Sequence, residues 1–491
     1  MHNVLFCIYC GFSSAYSCSN QQGQGAAYSA DASGTEYILL AGASMSSLTM
    51  TNATKERLVT KIHDKWYDLT DYEKLHPGGP VSMGLAAGRD ATVMFESHHP
   101  FTHRSVLDAI LEKYELNGSS SRDLRTLEDQ HAIVEHPFNW KSDFGDALKF
   151  HVKEYFQAEA KRRNVSISAA IKAPPERWCE LTLLGAIWAI CLISFVRGDW
   201  TSLLTFPVSL WVFGVNIFHD AAHFALHKNW RINAIVPYLF PILCSPFAWY
   251  HQHNIGHHSY PNIEHRDPDL VHFFWWKREH KSVEWRTTHK MQRAKWFLVF
   301  WWVIGVELGL ATMNDYWMLI YKVYNESVPM KRISRRRFLF HVAGRFLTIG
   351  VIHLWPFFVL ETWTRSIIFA ILPYPTASVL FMLNTQINHL TPGCAHETNE
   401  DWYKHQVITA QDFGVNSRFC FLMSGGLNYQ IVHHLFPTVN HHHLVKLQPI
   451  VARLCEKHDV AYKHVAGYAA AIKSHHAHTV SMSYNEKEQS S

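Results

Sequence analysis

Three histidine clusters, separated by apolar stretches, most constrain the fold of this chain, because they can act together only on one side of a membrane. They read His219-Asp-Ala-Ala-His223, His253-Asn-Ile-Gly-His257-His258 and Gln430-Ile-Val-His433-His434, with an eighth histidine, His389, between the last two. Residues four apart share a face of an α-helix, so His219 and His223 are placed to reach one metal together, and so are His253 and His257. His258 is rotated by about 100° and is placed for a second metal. Imidazole suits iron, copper, nickel or zinc, and a lone zinc would use only four ligands. A two-metal, histidine-rich site is the economical reading. With 35 histidines in the chain any single pair means little, but three clusters at the edges of apolar segments mean a good deal more.

Six apolar stretches lie at about 178–196, 200–218, 232–249, 296–313, 342–360 and 366–384, against the roughly 20 residues that a span needs. The first two make a hairpin through Arg197-Gly198-Asp199 and return His219 to the starting side. The third holds Pro237, Pro241 and Pro246 and reads as a broken, interfacial segment. The fourth contains Glu307 and is followed by Lys331-Arg332 and Arg335-Arg336-Arg337, which the positive-inside bias assigns to the cytosol. It is therefore read as not crossing, and the last two stretches form a second hairpin. Four crossings leave every candidate ligand on the cytosolic face. Asn52, Asn117, Asn164 and Asn325 open Asn-x-Ser/Thr patterns that this topology leaves unglycosylated.

An aromatic content of 14%, with 18 Trp, fits a protein with membrane-interface belts, and a net charge of +4 is too mild to imply a nucleic-acid partner. The nine cysteines lack the spacing of a disulfide framework, and Cys7-x-x-Cys10 is read as accidental. Residues 1–54 carry no charge before Asp31 and no basic leader. They are read as disordered, or as an extension upstream of a true start near Met45 or Met50.

From Lys55 the texture is that of a small soluble α+β domain: Trp66-Tyr-Asp-Leu-Thr70, His76-Pro-Gly-Gly79, Gly88-Arg-Asp-Ala-Thr92 and Phe95-Glu-Ser-His-His99-Pro100. Over residues 55–135 this resembles cytochrome b5. The resemblance implies heme b held by His76 and His99, with His98 as the alternative to His99. Two axial imidazoles leave no place for oxygen, so such a heme passes electrons. Residues 136–177 are read as a linker. Within it Phe144, Leu148, Val152 and Phe156 recur at helical spacing between Lys141 and Arg163, as an amphipathic segment on the membrane surface or a solvated connecting helix, ended by Pro174-Pro175. The tail, 473–491, is polar and is read as disordered.

A histidine-held iron pair, fed by a one-electron heme beside acyl chains, can use O2 and two electrons to remove two hydrogens from a lipid chain, leaving a double bond and water. Residues 178–472 are read as an all-α membrane domain. From about 55 to 470 the chain resembles a front-end fatty acid desaturase with a fused cytochrome b5. The resemblance rests on His76-Pro-Gly-Gly79, His219–His223, Gln252–Asn262 with Asp267-Pro-Asp269, and Gly425–Pro437 with glutamine opening the third box. It implies that His219, His223, His253, His257, His258, His389, His433 and His434 bind two irons, with Gln430 as a ligand or beside one. Asp220 and Asn254 are candidates to orient imidazoles, or are solvated.

Three residues between His253 and His257, and Val432 where many members have Glu, are most like the Δ5 branch, with Δ4, Δ6 and Δ8 as alternatives. The resemblance further implies a long-chain acyl lipid or acyl-CoA substrate. It also implies a separate NADH-cytochrome b5 reductase and residence in the endoplasmic reticulum membrane. Rival readings are a lipid hydroxylase, a sphingolipid desaturase, and an electron-transfer protein with structural histidines. His227, His251 and His265 are read as surface residues or neighbours of the metal ligands. His441-His442-His443 follows the third box and is placed to reach the metal, but is read as a solvated helix start.

Overall fold

The computed structural model describes residues 57–116, 136–239, 245–271, 275–311, 323–324, 328–330 and 334–485. Residues 1–54, Cys7 and Cys10, Asn52, Asn117, Asn325 and Lys331-Arg332 lie outside the described residues, as do the side chains around Glu307. The soluble module begins with an antiparallel pair, β1 (Val59–Ile62) and β2 (Lys65–Asp68), in the register Val59 to Asp68 and Ile62 to Lys65. Three helices follow: α1 (Gly79–Ala86), α2 (Thr92–His98) and α3 (Arg104–Leu111). Leu58, Ile62, Tyr67, Leu69, Met83, Ala87 and Leu111 form its own small core.

The next helix corrects the sequence reading. Helix α4 (Asp143–Arg163) is capped by Ser142, whose hydroxyl accepts from the Gly145 amide, and it ends at Asn164 in a left-handed conformation, well before Pro174. Its stripe, Phe144, Leu148, Val152 and Phe156, is fully buried and packs on Leu444, Leu447 and Val451 of the C-terminal region. The stripe thus faces the protein's own core, while the opposite side of the helix is exposed. Each such side chain contributes about 1.5–3 kcal/mol when removed from water, and the molecule's own core takes up all four.

Among the described residues, four helical segments are long and apolar enough to cross a bilayer: Ile167–Arg197, Ser202–Ala222, Arg335–Leu354 and Trp363–Gln386. They match the two hairpins expected from the sequence. The first contains helix α5 (Pro175–Arg197), with Pro175 at its first turn, where a missing N–H costs nothing, and Gly198 closing it. Leu183, Ile187, Ile190 and Ile193 on α5 stay exposed, which suits a lipid-facing surface. Helix α6 (Ser202–Ala222) returns against it.

In the third apolar stretch the described residues form short helical pieces at Trp230–Ile235, Val236–Leu239 and Pro246–Trp249, and Pro241 lies outside the described residues. The fourth is helical over its described residues, α7 (Phe297–Ala311). The second hairpin comprises α8 (Arg335–Thr348, continued to Leu354), α9 (Trp363–Ile371) and α10 (Pro373–Gln386). Helix α7 lies along α10, with Trp301, Trp302 and Met382 in one cluster.

Beyond the spans come α11 (Trp402–Ile408), α12 (Gln430–Leu435), α13 (Leu444–Lys457) and α14 (Tyr468–Ser481). The last overturns the disordered tail. Helix α14 is ordered to Ser481 with His475, His478 and Thr479 buried, and His475 donates from Nδ1 to the Leu390 carbonyl at 2.8 Å. Polar side chains had concealed a helix that buries its histidines against the end of α10.

Candidate dimetal and heme sites

Helices α6 and α10 end in the same layer, and each delivers histidines at its C-terminus: His219 and His223 from α6, and His389 three residues beyond α10. The other ligand candidates come from a π-helical turn at Tyr250–His257 and from α12. All eight rings are buried and sort into two groups. His219, His223, His253, His258 and His433 face one centre, and His257, His389 and His434 face another, with ligand atoms within 4.8 Å of one another in each.

The second histidine box is divided differently from the helical expectation. His253 was paired with His257, and His258 set apart. Here His253 and His258 share the first group, with Nε2 atoms 3.1 Å apart, and His257 joins the second, its Nε2 3.3 Å from that of His389. The cause is the π-turn, in which the His258 amide donates to the His253 carbonyl five residues back at 2.8 Å, bringing residue i+5 over residue i. Adjacent residues of α12 divide likewise: His433 turns to the first group and His434 to the second, with their rings perpendicular at 88°.

The donor set fits metal. His219 and His253 present Nε2 atoms 2.8 Å apart. Two nitrogens at about 2.1 Å from one ion, at right angles, stand about 3 Å apart. Both ring nitrogens of His223, and Nε2 of His433 and of His434, are buried without a hydrogen-bond partner. Buried orphan nitrogens are costly unless something binds them. Burial, followed by the neighbouring imidazoles, holds His253, His258, His433 and His434 well below the ordinary histidine range, so they are neutral as ligands must be.

The residues holding these rings are partly new. The Nδ1 of His257 donates to Asp267, 3.2 Å from Oδ2, and its Oδ1 is 3.3 Å away. Burial alone would lower His257, but Asp267 and Asp269 hold it up at about 9, so an ion bound at its Nε2 must displace a proton. The Asp267-Pro268-Asp269 run was visible in the sequence without a role. Gly256 admits it, because a Cβ at Gly256 would stand 2.5 Å from the Pro268 ring. His389 donates from Nδ1 to the Thr409 carbonyl at 2.9 Å, and His434 donates from Nδ1 to Gln406 Oε1 at 2.8 Å. The Gln430 amide is at the second group, its Nε2 2.9 Å from His389 Nε2 and its Oε1 accepting from Asn388 at 3.2 Å.

Two expected orienters do not touch the clustered rings. Asn254 donates to the Ala222 carbonyl at 2.9 Å, tying the π-turn to the end of α6. Asp220 accepts from Asn440 and from the His441 amide. His441 and His443 are buried, not solvated. His251 is buried too, donating to the Phe247 carbonyl at 2.8 Å, whereas His265 is exposed and His227 half-buried.

In the front module His76 and His99 face each other with ring centroids 6.0 Å apart. Two imidazoles on opposite sides of one iron, with bonds of about 2 Å, place their centroids about 6 Å apart. His99 donates from Nδ1 to the Phe95 carbonyl at 2.8 Å, which leaves Nε2 for a metal. Burial, and then His99, push His76 down to about 4. His98 is half-buried, with Nδ1 3.0 Å from Ser97 Oγ.

This module packs on the layer that holds the clusters. Val81 and Leu85 of α1 share a core with Phe218 and Ala222 of α6 and with Trp249, and Trp230 packs on the same core. Phe101 stacks on Phe436, two residues after His434, at 5.7 Å, and Arg89 donates to the Pro329 carbonyl at 2.9 Å.

Such an arrangement, a two-imidazole heme module set on a membrane domain with eight clustered histidines, defines a class of lipid-oxidising membrane enzymes. The pattern of the fatty acid desaturase family matches residues 198–466, and that of the cytochrome b5-like heme/steroid binding domain matches 44–118. The chain belongs to the fatty acid desaturase family and is an integral membrane oxidoreductase with a cytochrome b5 domain. It is 29% identical to a probable Delta(5) fatty acid desaturase C of Dictyostelium discoideum, over 86% of this chain and 90% of that protein. An acyl-lipid (8-3)-desaturase of Mortierella alpina is 27% identical over 89% and 96%, and a Delta(8)-fatty-acid desaturase of Arabidopsis thaliana 24% over 86% and 93%.

Proposed function

We propose that this protein is a front-end acyl desaturase that inserts a cis double bond at Δ5 of a long-chain polyunsaturated acyl chain. The observation that carries the reading is the pair of buried imidazole clusters at the ends of two spanning segments, with a two-histidine heme module packed beside them. His219, His223, His253, His258 and His433 hold one iron, and His257, His389 and His434 the other, with Gln430 at the second. His76 and His99 hold heme. The heme supplies single electrons, and the iron pair supplies activation of O2 at an unactivated C–H bond.

The protein's own part is placement. Asp267, the Thr409 carbonyl and Gln406 fix the Nδ1–H tautomers of the second cluster. Trp249 stacks on His253 at 4.4 Å and meets Phe381 of α10 at 6.0 Å, an apolar wall between the first cluster and the spans. The contact of α1 with α6 keeps the heme module against the clusters, so electrons arrive within one chain. A separate NADH-cytochrome b5 reductase supplies them, and the clusters and heme module face the cytosol at the endoplasmic reticulum. Assignment to Δ5 draws on the likeness to Delta(5) and (8-3) desaturases, and Δ4, Δ6 and Δ8 are the alternatives.

The test is expression in a host without polyunsaturated acids, fed di-homo-γ-linolenic acid, beside His257→Ala. Arachidonic acid appears with the wild type and not with the variant. A product only from Δ4, Δ6 or Δ8 substrates would move the regiochemistry, and a hydroxylated product would replace the reaction.

A further inference from the structure

His441 begins a run of three histidines outside both clusters, yet it is as buried as His433. Its ring lies 4.7 Å from that of His433 and 5.0 Å from that of His219. Nδ1 of His441 donates to the Gly425 carbonyl. With its single proton on Nδ1, which also lies 3.5 Å from Asp220 Oδ1, His441 accepts at Nε2 from His433 Nδ1 at 3.2 Å. The proton is thereby held on Nδ1 of His433, and His433 Nε2, which has no hydrogen-bond partner, points a lone pair into the first cluster.

The backbone around His441 is tied to the first histidine box. Asp220, between His219 and Ala221 on α6, accepts from the His441 amide at 3.3 Å and from Asn440 Nδ2 at 2.8 Å. Space for the ring is left by Gly426, which adopts a positive φ of 91°. A Cβ there would stand 2.8 Å from His441 Cβ and 3.1 Å from its Cγ. The Gly425-Gly426 pair ahead of the third box thus serves His441 twice, with a carbonyl and with an absent side chain.

We propose that His441 is a positioning residue for the first metal: it fixes the tautomer and ring orientation of His433 and so keeps His433 Nε2 available as a ligand. This rests on the reading that the first cluster holds iron. The two centres then differ in what backs their imidazoles, a carboxylate behind His257 and a second imidazole behind His433.

The test uses the full-length protein in detergent as wild type, His441→Phe, His441→Gln and His433→Ala, with the heme spectrum as a check on folding. Ferrous iron is titrated into the iron-depleted chains, and the near-infrared magnetic circular dichroism of the ferrous sites is recorded. His441→Phe is expected to weaken one of two iron sites by about 10–100-fold and to alter its ferrous bands, with the heme spectrum unchanged. His441→Gln, whose Oε1 can accept where Nε2 did, restores both. Two sites of wild-type affinity and unchanged bands in His441→Phe would overturn the proposal. Should His441→Phe lose its heme spectrum, Gly426→Ala displaces the ring instead, and unchanged ferrous bands in that variant would equally overturn it. A wild type that takes up no iron beyond heme, or a His433→Ala that matches it, would instead sink the reading of the cluster.

Discussion

The two histidine clusters solve the same problem in opposite ways. The first has five imidazoles but little behind them: Nδ1 of His219, of His223 and of His258 lacks a hydrogen-bond partner, Nδ1 of His433 meets His441, and His253 is stacked on Trp249. The second has three imidazoles, and each Nδ1 is held, by Asp267, by the Thr409 carbonyl and by Gln406. A centre with many ligands keeps its shape by number, because each ring is hemmed in by four others. A centre with few must fix each ring from outside, since one misplaced ligand is a third of the set.

The largest effect should come from setting His434→Ala against His219→Ala. The three-ring centre cannot lose a member and keep its ion, so His434→Ala should fall from about two irons per chain to about one and lose desaturation. His219→Ala leaves four imidazoles and should retain more iron than His434→Ala. Iron-to-heme ratios measure both, and equal loss in the two variants would break the comparison. Next, Asp267→Asn should lower desaturation by about 10–100-fold at nearly full heme content, measured as product per heme.

Gln406→Leu removes the acceptor for His434 and a bond of 3.2 Å to the His258 carbonyl. It should cost less than Asp267→Asn, because a neutral amide is a weaker partner than a carboxylate. The smallest change is Asn254→Ala. Its amide holds the Ala222 carbonyl and none of the clustered rings, so thermal unfolding should report a loss of about 1 kcal/mol with iron content unchanged. A large loss of iron in that variant would show that the π-turn depends on this tie.

Much of the site was legible in the sequence. The His219–His223 pair closes a regular α-helix, where spacing of four means one face, and both rings lie in the first group. The His76 and His99 rings face each other, and the four spanning segments fall on the two expected hairpins. The division of His253, His257 and His258 was not legible, because periodicity assumes an α-helix and the turn is π. The contacts of Asp267, Gln406 and His441 were hidden because no regular helical spacing links them to their histidines: Asp267 and His441 meet theirs around turns, ten and eight positions away, and Gln406 meets His434 from another helix. Helix α4 and helix α14 were misread for a related reason. An amphipathic or polar helix looks alike whether it meets lipid, water or the protein, and only its neighbours decide.

What the sequence by itself determined is the chemistry available: which side chains can hold metal and heme, and the segments long enough to cross a bilayer. These follow from residue type and local spacing, which the chain carries wherever it folds. Only the tertiary structure decided how eight imidazoles divide into five and three, what stands behind each ring, and that α1 packs against α6. Those are contacts that residue type and regular helical spacing do not encode, set by packing and by the burial of polar atoms that must find partners.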